Sequence, residues 1–242
     1  MRNPGLSCNA RDLPGACRVA VGIALGLVAL LANSAIYAAG VASPALAGFS
    51  QQGASTAVKY VQAWIADSGD NHRTPYLIVD KVNARVFAFD ARGDFLGAEP
   101  VLLGLGRGDS ITAGTGNQTL STIRPQDRAT PAGRYVAALD LDVRGKPILL
   151  IDYGASIALH PVVTNNPSER RVQRLGSATS DDNRISYGCI NVSLKFFNDV
   201  VSPLFTRIGG VVYILPERGK ASETFGSYDV DPGVSRRTAT QP

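Results

Sequence analysis

Hydrophobic and polar positions divide the chain into stretches of different period. Residues 19–32 (VAVGIALGLVALLA) carry neither a charge nor a strongly polar group. Further on, Val58, Val61 and Ile65 recur at helical spacing with the single tryptophan, Trp64, beside them, which predicts a short amphipathic helix. From residue 76 the period changes. Short apolar or alternating runs stand at 76–80 (YLIVD), 84–90 (ARVFAFD), 95–104 (FLGAEPVLLG), 133–141 (GRYVAALDL), 147–153 (PILLIDY), 156–160 (SIALH) and 210–216 (GVVYILP). Turn residues separate them, which predicts a mainly β domain, a sandwich or barrel. One helix is expected from 194 to about 201, ending before Gly209-Gly210. Residues 217–242 are polar and read as a tail that is mobile or lies along the surface. The chain thus divides into 1–47, a connector with a short helix at 48–75, the β-rich domain at 76–216 and the polar C-terminal tail at 217–242.

The first apolar run follows a basic stretch ending at Arg18. Its length suits the core of a signal peptide, and Ala45-Leu46-Ala47 offers an A-x-A cleavage site before Gly48. Residues 19–40, interrupted only by Asn33 and Ser34, are also long enough to stay in a bilayer as an anchor. Both readings export the remainder to the periplasm or cell envelope and let it touch the membrane only through the N-terminal segment. A buried core helix is a third reading, opposed by the charge asymmetry and the A-x-A triplet. Export leaves Cys8 and Cys17 inside or removed, so Cys189 is the one cysteine in an oxidising compartment. Such a residue is a buried small hydrophobe, an intermolecular bridge or a reactive thiol.

Composition narrows the field. With 242 residues, 45% hydrophobic and 18% charged, the chain is neither wholly disordered nor a multi-span membrane protein. It is long enough to form a core without disulfides or a structural metal. The formal charge of +4 includes three arginines and one aspartate in 1–47, and the rest carries 21 basic against 19 acidic groups. No basic run interleaved with aromatics remains, which argues against a nucleic-acid partner. Two histidines and three cysteines without a C-x-x-C predict no metal centre, and nothing suggests an organic cofactor.

Several motifs carry little. Gly104-Leu105-Gly106-Arg107-Gly108 resembles a phosphate loop, but no helical pattern follows it. Arg-Gly-Asp occurs at 92–94 and 107–109, where strands should turn. Arg170, Arg171 and Arg174 fit either a solvated face or a site for a substrate carboxylate. The chemistry resides in His160 and Cys189. A cysteine attacks a carbonyl as its thiolate and needs a base nearby, for which neutral imidazole is the usual supplier. His72 lies before the first predicted strand, so His160, closing SIALH, is the base of that type available. Gly188, immediately before Cys189, permits close approach of another chain and leaves backbone N–H groups to face an oxyanion. The same two residues would also fit a satisfied core histidine and a buried thiol.

Ser186-Tyr187-Gly188-Cys189, preceded by a strand-end histidine, by 130–135 (TPAGRY) and by the opening at 76–104, resembles the YkuD-type L,D-transpeptidase catalytic domain over about 76–216. The resemblance implies a YkuD-like β-sandwich or barrel with one or two short helices, acting on peptidoglycan stem peptides. It makes Cys189 the nucleophile that forms a thioester at the third residue of the stem, and His160 the base. Backbone donors at Gly188 and Cys189 would hold the oxyanion. Ser186, Tyr187 and Asn191 would line the substrate site, with Arg184 a candidate for a substrate carboxylate. The partner is a peptidoglycan stem peptide, with an envelope lipoprotein as a further acceptor. Three features depart from the family pattern: Tyr187 stands where histidine is usual, Pro161 where glycine is common after the catalytic histidine, and the interval carrying 164–184 is long. A polar segment of that length predicts a substrate lid or an acceptor-selecting loop.

Overall fold

The computed structural model describes residues 44–112 and 114–231. The expected signal peptide or anchor lies outside them except at its end, and no described helix is long and apolar enough to cross a membrane. The A-x-A triplet falls in helix α1 (Pro44–Gln51). Helix α2 (Thr56–Ser68) forms where the spacing predicted it, burying Val58, Val61, Trp64 and Ile65 on one face. Ser55 caps its start by accepting the Val58 N–H at 3.3 Å, and Gly69, left-handed at φ 69°, ends it.

The domain is mostly β. Ten strands follow: β1 (Tyr76–Asp80), β2 (Arg85–Phe89), β3 (Phe95–Pro100), β4 (Leu103–Gly104), β5 (Gly133–Leu141), β6 (Pro147–Asp152), β7 (Ile157–Pro161), β8 (Arg184–Ser186), β9 (Ile190–Val192) and β10 (Gly210–Ile214). Eight form one sheet in the order β3-β2-β1-β10-β5-β6-β7-β9, and β4 pairs with β8. Within that sheet, neighbours run antiparallel except β1 with β10 and β7 with β9.

The central strands read as continuous apolar runs because both faces of the sheet are covered. Leu77, Val79, Val212 and Ile214 point into a core shared with Leu149, Leu159, Ile190 and Phe197. Their alternates Tyr76, Ile78, Val211 and Tyr213 meet Phe49 of α1 and Val61 and Trp64 of α2. Aromatic rings fill that second face: Tyr76 stacks on Phe89 at 4.8 Å, and Trp64 meets Tyr213 edge-on at 6.2 Å.

The structure departs from the pattern in three places. The run at 95–104 breaks after Pro100, because the Leu102 and Leu103 N–H groups donate to Asn191 and Asn183 carbonyls instead of continuing the β2 ladder. The helix expected at 194–201 is made of α4 (Leu194–Phe196), a π turn (Phe197–Val201) and α5 (Ser202–Phe205). Pro203 has no N–H to offer a carbonyl in the preceding turn, which suits a π turn there. Helix α3 (Arg171–Leu175) lies in the long polar interval and α6 (Ala221–Phe225) in the C-terminal segment.

That segment lies along the surface, fastened at several points. Asp109 accepts the N–H groups of Glu217, Arg218 and Gly219 and pairs with Lys81 at 2.9 Å, whose side chain is wholly buried. Further on, the Phe225 ring lies nearly parallel to Trp64 at 6.4 Å. The second Arg-Gly-Asp is therefore a structural joint: its aspartate is spent on internal donors.

Candidate active site

Strand alternation sets the site. In β7 and β9, Ile157, Leu159, Ile190 and Val192 face the core. Successive side chains alternate, so Ala158 and His160 share the opposite face with Asn191 of the neighbouring strand, and Cys189 directly precedes that strand. Register does the rest: Leu159 lies beside Ile190 and His160 beside Asn191, which puts Cys189 diagonal to the imidazole. Both His160 and Cys189 are half-buried in the wall of an 810 Å³ cleft.

The turn before Cys189 is tightly specified. Gly188 has φ 125°, and a Cβ there would stand 2.7 Å from Ile157 Cδ1 and 3.0 Å from Ala129 O. A side chain would be both strained and crowded. Ser186 Oγ donates to Cys189 O at 2.6 Å and accepts the Gly188 N–H at 3.1 Å. Thr130 Oγ1 donates to Gly188 O at 2.8 Å and accepts the Gly104 N–H, and the Thr130 carbonyl takes a hydrogen bond from Lys81. The 104–109 loop and the nucleophile turn thus hang on one threonine.

The imidazole has an identifiable tautomer. His160 Nδ1 lies 2.9 Å from the carbonyl of Pro161, which can only accept, so Nδ1 carries the proton. Nε2 lies 3.1 Å from Asn191 Nδ2 and accepts from it. Arg171 fixes that amide, donating from a guanidinium nitrogen to Asn191 Oδ1 at 2.8 Å while pairing with Glu169. Burial lowers the His160 pKa and the Arg171 charge adds to this, against the Pro161 carbonyl. Burial also raises the Cys189 thiol, outweighing a hydrogen bond from the Ala158 N–H and the Arg171 charge. Sγ directs its proton to Ser156 O at 3.6 Å. Both shifts favour the neutral forms, a thiol and an imidazole.

The remaining expected positions separate. Asn191, fully buried, touches the base. Ser186 and Gly188 build the turn, and the Gly188 N–H is occupied by Ser186 Oγ rather than open. Tyr187 lies under the Arg128 guanidinium, 4.1 Å from ring centroid to Cζ, and does not line the cleft. Arg184 does not join the site: it is 6% exposed, donates to Lys81 O and pairs with Glu217 of the C-terminal segment.

Sequence reasoning missed the far wall of the cleft. Asp140, Asp142 and Lys146 from the β5–β6 hairpin and Tyr153 after β6 line it. Leu141, Val143 and Tyr153 are exposed apolar side chains on its rim. The turn signal at 142–146 (DVRGK) marked the hairpin without showing what it faces. Among the described residues no group of three or more His, Cys, Asp or Glu is placed to hold a metal.

Comparison with protein-family models finds no match for this chain, and comparison with curated proteins finds none. Solved structures do match in backbone. The NMR structure of the catalytic domain of an L,D-transpeptidase from E. faecium is 16% identical, with 59% of this chain and 97% of that one covered at a TM-score of 0.34. A crystal structure of the helical cell shape determining protein Pgp2 from Campylobacter jejuni is 12% identical, with 65% of this chain and 55% of that one covered at a TM-score of 0.39.

Proposed function

We propose that this chain is a cysteine-dependent L,D-transpeptidase of the cell envelope, acting on peptidoglycan stem peptides. The observation that carries the reading is the placing of His160 on β7 and of Cys189 directly before β9, diagonal to it, in the wall of a cleft large enough for a peptide. His160 Nε2 takes the thiol proton, and the thiolate attacks the carbonyl at the L-centre of diaminopimelate, the third residue of the stem. The oxyanion gathers at the Cys189 N–H, with the Gly188 N–H recruited from Ser186. The imidazolium then protonates the departing D-alanine, leaving a thioester. An amine resolves it, as a 3→3 cross-link or as attachment of an envelope lipoprotein. Water at the same thioester gives L,D-carboxypeptidase activity.

A second reading is a catalytically silent peptidoglycan-binding protein, favoured by the engaged Nε2 and the raised thiol pKa. Mass spectrometry of tetrapeptide muropeptides incubated with the full chain and with its Cys189→Ala variant separates the two. Release of D-alanine by the unsubstituted chain alone is expected, and dimers or tripeptides then tell transpeptidase from carboxypeptidase. Unchanged muropeptides with both proteins, and sacculus binding indifferent to Cys189→Ala, would establish the silent reading.

A further inference from the structure

Arg171 has no role in the chemistry described above, yet it is the residue through which the long polar interval reaches the base. It opens α3, its side chain is 12% exposed, and its two hydrogen-bonded partners are Glu169 and Asn191 Oδ1. The consequence follows from donor and acceptor counting. A guanidinium cannot accept, so it fixes Asn191 with its oxygen toward Arg171 and its NH₂ toward His160. An NH₂ facing Nε2 suits neutral imidazole and opposes imidazolium, because a protonated Nε2 would then meet a donor. Transfer of the Cys189 proton to Nε2 therefore requires the amide to turn or withdraw, and Arg171 holds it in place.

We propose that Arg171 is a positioning residue that latches the Cys189–His160 pair in its neutral, unreactive state through the Asn191 amide. A substrate carboxylate that draws the guanidinium off Asn191 releases the latch. The amide oxygen can then swing to Nε2–H, and the thiolate–imidazolium pair forms by transfer of one proton from sulfur to nitrogen. The other charged group acting on the imidazole is Asp142, which favours imidazolium and does not take part in the latch. This regulation rests on the reading of Cys189 and His160 as the reacting pair, but its test needs no peptidoglycan.

The test is alkylation of the full chain by iodoacetamide at neutral pH, followed by mass spectrometry of the peptide bearing Cys189. It is run beside ¹⁵N NMR of the imidazole nitrogens, which is tractable because the chain has two histidines. Arg171→Met keeps the packed stem and removes charge and donors, whereas Arg171→Lys keeps the charge and one way of donating. Arg171→Met is expected to speed alkylation about tenfold, equivalent to about 1.4 kcal/mol, and to move the His160 Nε2 resonance toward imidazolium. Arg171→Lys should restore most of the slow rate. If Arg171 acts only by its charge on the thiolate, Arg171→Met slows alkylation, and the latch is overturned. If it acts only as packing, the His160 nitrogen resonances stay where they are, which overturns it equally. Arg171→Lys, the milder change, keeps the question answerable should Arg171→Met not fold: a lysine chain with the resonances of the parent supports the latch, and one already shifted to imidazolium at the parent's alkylation rate contradicts it.

Discussion

Replacing Asp109 by asparagine tests how the C-terminal segment and the nucleophile turn are held. The carboxylate accepts three consecutive backbone N–H groups and pairs with Lys81, whose side chain is fully buried while that of Asp109 is 28% exposed. Removing one partner of a buried pair typically costs about 3–5 kcal/mol. The substituted amide would keep an acceptor oxygen, and solvent reaches part of the site, so the expected loss is the lower figure, about 3 kcal/mol. For a domain of this size that lowers the melting temperature by about 6–12 °C. An independent handle comes from pH. Burial alone would raise the Asp109 pKa, but the Lys81 ammonium and the backbone donors outweigh it and hold the carboxyl at about 2. A depressed carboxylate stabilises the folded chain fully above its unfolded value of about 3.9, here by about 2 kcal/mol, and loses that stabilisation as pH falls toward 2. The Lys81 pKa is lowered too, by its own burial, which for an amine disfavours the charged form, so the pair's favourable term rests with the carboxylate. Thermal denaturation of parent and Asp109→Asn between pH 7 and pH 2 measures both effects. The variant should melt lower at neutral pH and lose less stability between pH 4 and pH 2. An unchanged melting temperature at pH 7, with an acid limb parallel to the parent's, would refute the account.

Three further outcomes are expected. Gly188→Ala forces a Cβ against Ile157 and the Ala129 carbonyl at a φ that side chains rarely adopt, and should cost about 2–3 kcal/mol in urea denaturation while reducing Cys189 reactivity. Because burial raises the thiol and lowers the imidazole, alkylation of Cys189 at pH 7 should be slower than that of a cysteine in a short peptide and should still be rising past about pH 9; a plateau reached near neutrality would show a preformed thiolate–imidazolium pair instead. Trp64→Ala removes the ring between α2, Tyr213 and Phe225 and should cost about 3–5 kcal/mol, releasing 221–231 to proteolysis before the sheet; cleavage no faster than in the parent would show that the Trp64 ring is not what holds the segment.

What the sequence disclosed depended on length and on whether a contact is local. Strands of five residues or more announced themselves by their apolar pattern, and α2 by the spacing of Val58, Val61 and Ile65. β8 and β9 have three residues each, too few to show a period, although they carry the residues on either side of the nucleophile turn. Pro161 stands out in the sequence as a replacement for glycine, whereas what matters in the fold is its carbonyl, which accepts from His160. The carboxylate that Arg184 meets lies 33 residues away in a segment whose sequence is merely polar, so the pairing has no local signal. Arg171 could not be distinguished from Arg170 or Arg174 by type, since only the fold brings one of the three to Asn191.

The sheet also has an order of assembly written into it. β10, residues 210–214, is the last of the described strands and lies between β1 and β5, so it is the seam joining β1–β3 to β5–β7 and β9. Until that strand is available, both halves present an unpaired inner edge, and the pairing that closes them spans more than 130 residues from Tyr76 to Val211. A chain that has not yet supplied residues 210–214 therefore cannot complete this sheet. Closure of the sheet waits on the strand that follows all its other strands in sequence.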